Sequence, residues 1–73
     1  MAANLLKDKP SFRLFDLVAL REDYPLDNLH AGEIGVLVEQ WGDEPVWEVE
    51  FFDEETKETK AVATLEEKNF YLV

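Results

Sequence analysis

Seventy-three residues bearing 17 acidic and 7 basic side chains, a net charge of −10, and no cysteine specify one small acidic domain. At 47% hydrophobic and 33% charged the chain is too apolar for disorder, and without cysteine neither a disulfide framework nor a thiolate metal site can form. The acidic excess also opposes nucleic acid, because binding a phosphate backbone depends on Lys and Arg displacing condensed counterions.

Residues 1–12 read as a peripheral leader. A helical turn over residues 4–9 would stop at Pro10, which restricts the residue before it. No apolar run of signal-peptide or membrane-spanning length occurs, so the expectation is a cytoplasmic protein without a membrane partner. From residue 13 to 73 no repeat, linker or low-complexity tract interrupts the chain, which predicts one domain.

Residues 13–20, rich in Leu, Phe and Val, predict a first strand. Residues 21–31 hold Asp23, Pro25, Asp27 and Asn28 and predict a long loop, the longest irregular stretch and therefore a place where function could sit. Within it Tyr24 is expected to pack its ring on the domain. Gly32 and Gly35 then flank the entry to a β-branched run, which suggests a positive φ or a close strand approach.

Residues 33–41 and 46–52 enclose Gly42, Asp43, Glu44 and Pro45, the composition of a hairpin turn. Alternation places Trp47, Val49 and Phe51 on the core face, and Ile34, Val36 and Val38 are expected to join them. A second turn at residues 53–56 leads to a fourth strand over residues 57–64. There Ala61 and Ala63 are small enough to sit beneath the Trp47 and Phe51 rings, and Lys60 is expected outside, near Glu50. Thr64, Leu65, Glu66 and Glu67 match a capping box, predicting a short helical turn through Asn69, and residues 70–73 form a fifth strand. The fold class is all-β: a small five-stranded SH3-like barrel with a short helical turn before the last strand.

The run Asp16-Leu17-Val18-Ala19-Leu20, then Glu22, Asp23, Pro25 and Leu29, Gly32 through Gly35, Val38-Glu39, Glu48-Val49-Glu50-Phe51 with Asp53, and Thr64-Leu65 carry a family likeness. From Phe12 onward the chain resembles the short bacterial family called domain of unknown function 4926. The resemblance implies an SH3-like barrel of bacterial origin with no established activity, some members looking like companions of toxin or immunity systems. One departure is that such sequences often carry a glycine in the turn after the aspartate, whereas Asp53 here is followed by Glu54, Glu55 and Thr56.

The inventory for catalysis is thin: His30 is the sole histidine, Ser11 the sole serine, and no nucleophile–base pair can be assembled. The acidic turns at residues 43–44 and 53–55 end opposite ends of a seven-residue strand, roughly 20 Å apart, and cannot share an ion. No enzyme activity, metal or cofactor is therefore expected.

Binding is the favoured class. Residues 43–67 contain ten acids against Lys57 and Lys60, a local net of −8. Strand parity sets Leu37, Trp41, Glu48, Glu50 and Phe52 on the outer hairpin face, the expected partner-binding residues, with a basic protein as the expected partner. The competing bland reading is that the acids only solubilise and that residues 5–12 fold back over this face. An echo of true SH3 domains at residues 19–25 is weak, since Trp41 and Trp47 fall on opposite strand faces and cannot line one proline-binding groove. The alternatives are a nucleic-acid-associated, KOW-like barrel, suggested by the glycine-flanked second strand and opposed by charge, and a barrel that self-associates as a homodimer through the same face or an open edge.

Overall fold

The VWEVEFF run from Val46 to Phe52 is the organising strand, because its uninterrupted alternation buries Trp47, Val49 and Phe51 on one side. In the computed structural model, which describes residues 12–73, five strands form one antiparallel sheet: β1 (Leu17–Leu20), β2 (Ile34–Gln40), β3 (Val46–Phe52), β4 (Thr59–Glu66) and β5 (Phe70–Leu72). Their order across the sheet is β4-β3-β2-β1-β5. Apart from strands, the described residues hold two single 3-10 turns, Pro25–Asp27 and Glu67–Asn69. The all-β, five-stranded architecture and the short turn before the last strand are as the sequence indicates. The helical turn and leader contacts expected for residues 1–11 lie outside the described residues.

One face of the sheet carries the core: Val18, Leu20, Leu37, Trp47, Val49, Phe51, Leu65 and Phe70, joined by Leu29 from the loop. Ala61 faces Phe51 across β3 and β4 as expected, whereas Ala63 faces Val49 and it is Leu65 that lies opposite Trp47. Phe12, assigned to the leader by sequence, instead packs edge-on against Phe70 with ring centroids 4.9 Å apart.

Several boundaries move. The first strand starts at Leu17 rather than residue 13, because Arg13 to Asp16 close a turn: the Asp16 carboxylate accepts from the Arg13 N–H at 2.9 Å and Phe15 adopts φ +72°. The fourth strand runs Thr59–Glu66, since residues 53–58 are held by their own turn. The Asp53 carboxylate accepts the Glu55 and Thr56 N–H groups, and Lys57 takes φ +66°, the left-handed position where a glycine costs nothing. The capping motif also shifts. Thr64 remains in β4, and Asn69 Oδ1 accepts the Glu66 N–H at 2.9 Å, so the 3-10 turn begins after Glu66.

The loop over residues 21–31 is more ordered than its composition indicates. Tyr24 and Leu29 form a bridge, with the Tyr24 N–H donating to the Leu29 carbonyl at 2.8 Å and the reverse bond at 3.1 Å. Leu29 is fully buried and Tyr24 packs on the core as expected. The two glycines act as the sequence suggests: Gly32 has φ +86°, while Gly35 is buried in β2 under the Phe51 ring.

Candidate interaction face

The face opposite the core is set by the cross-strand registers, and one irregularity decides who belongs to it. β2 and β3 pair Leu37 with Val49 but Glu39 with Glu48, so Val38 is an extra residue in a bulge. Before the bulge the odd positions of β2 point inward. After it they point outward, with Glu39 opposite Glu48 and the Trp41 N–H bonded to the Val46 carbonyl at 2.9 Å.

Of the five residues expected to bind a partner, Leu37 is therefore misplaced by sequence parity. It is wholly buried beside Val49 and belongs to the core. The same inversion applies to the residues expected inside: Ile34 is exposed, and Val36 pairs with Glu50 and Leu17 on the outer face.

Trp41, Glu48, Glu50 and Phe52 do reach the outer surface, and the first three form a strip. Trp41, half exposed, donates its Nε1–H to Glu48 Oε2 at 2.6 Å. The Glu48 carboxylate also accepts the Thr64 hydroxyl, 3.0 Å from Oε1 and 2.9 Å from Oε2, and Glu50 accepts the Thr59 hydroxyl. Neutral donors thus fix both carboxylates without cancelling their charge. Of the two ion pairs among the described residues, Lys60–Glu33 and Lys68–Glu66, neither involves this strip. Lys60, expected near Glu50, is the residue skipped where β4 shifts register between Phe51 and Phe52, so it reaches Glu33 at 2.8 Å instead.

Phe52 stands at the far end, on the rim of an open cleft of about 430 Å³ shared with Ile34, His30, Glu33, Lys57 and Lys60. Burial alone would raise the Glu33 carboxyl, but the Lys60 ammonium and the His30 N–H bonded to it hold it below its ordinary value of 4.5. His30 is an exposed loop residue whose backbone serves the turn. Burial, reinforced by the Glu22 charge, lifts the Tyr24 phenol. Among the described residues no three His, Asp or Glu side chains converge as metal ligands, and no helix is long and apolar enough to cross a membrane.

A second cleft, of about 360 Å³, opens at the other end of the sheet between Phe12, Phe70, Arg21, Pro45, Glu66, Glu67 and Lys68. Beside it the Trp47 indole, buried in the core, donates to Glu67 Oε2 at 2.8 Å. The sequence pattern, which places Glu67 in a capping box, gives no sign of this contact.

The order of strands, the bulge and the turn anchored on Asp53 occupy the span matched by one family model, that of a domain of unknown function (DUF4926), over residues 14–72. The chain belongs to the DUF4926 family. No curated protein and no solved structure matches it. Within DUF4926 this chain fills the turn after Asp53 without glycine, the left-handed residue being Lys57.

Proposed function

We propose that this DUF4926 chain is a non-catalytic protein-interaction module whose acidic strip, Trp41, Glu48 and Glu50, holds a basic protein partner, in the manner of an inhibitor or immunity-like companion. The observation that carries the reading is the treatment of Glu48. Its carboxylate is oriented by the Trp41 indole and the Thr64 hydroxyl, yet no cation neutralises it among the described residues. Two oriented carboxylates beside a half-exposed indole suit Lys or Arg, since a guanidinium can bind a carboxylate in bidentate fashion and lie over an aromatic ring. A net charge of −10 speeds the approach of such a partner and disfavours acidic ones. The reading includes a cytoplasmic setting and no catalytic role.

The test is capture of partners from host lysate on immobilised protein, at low and high salt, alongside a Glu48→Lys, Glu50→Lys variant. A basic protein retained by the native chain at low salt and lost with the variant supports the module. Retention of nucleic acid, or of the same proteins by both forms, refutes it.

A further inference from the structure

We propose that the other half of the outer face, formed by β5, β1 and β2, is a self-association surface taken by a second copy of this chain. The registers place Leu17 opposite Val36, and Ala19 opposite both Ile34 and Tyr71, so these five side chains share the outer face. None is charged. Leu17, Ile34 and Tyr71 are each 41 to 50% exposed, whereas Ala19 between the last two is 3% exposed. The result is an apolar surface of Leu17, Ile34 and Tyr71 with Ala19 covered between the last two.

Size and charge argue for a second copy. Together with Phe52, which lines the same cleft as Ile34, the exposed apolar area is on the order of 400 Å², within the range of a monomer's largest patch, which is often functional. It also matches the apolar centre of an interface burying about 800 Å² per partner. At one margin the Arg21 guanidinium lies 5.2 Å from the Tyr71 ring centroid, which adds two residue types enriched at interface hot spots. Of the outer-face acids on β3, Glu50 borders the patch as the cross-strand partner of Val36, and Glu48 lies farther along the strand, opposite Glu39. On a chain of net −10, the uncharged side chains of this patch are where two copies meet at least electrostatic cost. A two-fold arrangement presents the same patch twice, so each apolar contact counts twice.

The experiment is sedimentation equilibrium of the full chain over a wide concentration range, with amide NMR spectra of the native protein recorded on dilution. The expected result is a concentration-dependent mass rising toward twice the 8.5 kDa of one chain, strengthened by added salt that screens the mutual repulsion. Dilution shifts should centre on Leu17, Ile34 and Tyr71. Leu17→Glu and Tyr71→Glu, each at a site already about half exposed, should weaken association roughly 100-fold, as loss of a central anchor does. Glu48→Lys, at a site opposite Glu39 and away from the patch, should leave the patch competent to pair, which separates this proposal from the acidic strip. A chain that stays at 8.5 kDa throughout, or dilution shifts confined to β3 and β4, overturns it.

Discussion

Gly35 and Phe51 are cross-strand partners on the core face, and the ring occupies the space a side chain at position 35 would need. A Cβ there would stand 2.7 Å from Val49 Cγ1 and 2.8 Å from Phe51 Cε1, inside any normal contact. Gly35→Ala should therefore destabilise the fold by about 1–3 kcal/mol, the usual range for overpacking, despite alanine's smaller entropic cost in a strand. Combining it with Phe51→Leu should give less than the sum of the two losses, because the second change vacates the contested space. Urea denaturation of the four proteins checks this, and additive losses would show that the ring is not the obstacle.

The bulge at Val38 makes a second prediction that contrasts two residues of one expected surface. Leu37→Ala removes a wholly buried side chain and should cost about 2–5 kcal/mol. Trp41→Ala, at a site 53% exposed, should cost about 1 kcal/mol or less and leave the fold intact. Thermal melts of both variants decide the matter. Equal, small losses would return Leu37 to the outer face and remove the bulge.

Glu67 supplies the acceptor for a buried indole, whereas Thr64 donates to an exposed carboxylate on the opposite side of the sheet. Glu67→Ala should cost about 1–3 kcal/mol by leaving the Trp47 N–H without a partner. Thr64→Ala should change stability by no more than about 0.5 kcal/mol, since exposed hydrogen bonds exchange readily with water. Were Thr64 the helix cap that the sequence pattern suggests, the order of the two losses would reverse. Denaturation followed by tryptophan fluorescence reads both.

How legible the sequence was depends on where the period of two survives. β3 keeps it over seven residues, so Trp47, Val49 and Phe51 were assigned to the core and Glu48, Glu50 and Phe52 to the surface correctly. β2 is as apolar on both faces, with Ile34, Val36 and Val38 interleaved with Gly35 and Leu37, so composition there cannot choose a face. The choice is made by the void at Gly35, which admits Phe51, and by the extra residue at Val38 that re-aims Glu39 and Trp41. No local residue type announces a bulge of that kind. Nor do Phe15 and Lys57 look like left-handed residues, since the hydrogen bonds around Asp16 and Asp53 impose those conformations from outside. Thus the outer-surface placement of Trp41, Glu48 and Glu50 is legible in the sequence, whereas the Trp41–Glu48 bond and the apolar patch around Leu17 and Tyr71 require the registers.

The Lys60–Glu33 pair sets a pH dependence whose direction follows from the depressed Glu33 carboxyl. A group whose folded pKa lies below its unfolded value stabilises the fold above the unfolded value, here 4.5, and that contribution is lost as pH falls through the folded pKa. The two side chains are 25% and 23% exposed, so solvent screens the pair and its worth at neutral pH is about 0.5–1 kcal/mol. Glu33→Gln should therefore be less stable than the native chain by about that amount at pH 7. The gap should close as pH falls below 4.5, where the native carboxyl takes up its proton and the glutamine has none to take. High salt should narrow it at neutral pH as well. Urea titrations of both proteins at several pH values measure the gap, and one that is constant from neutral to acid would assign the effect of Glu33 to packing rather than charge.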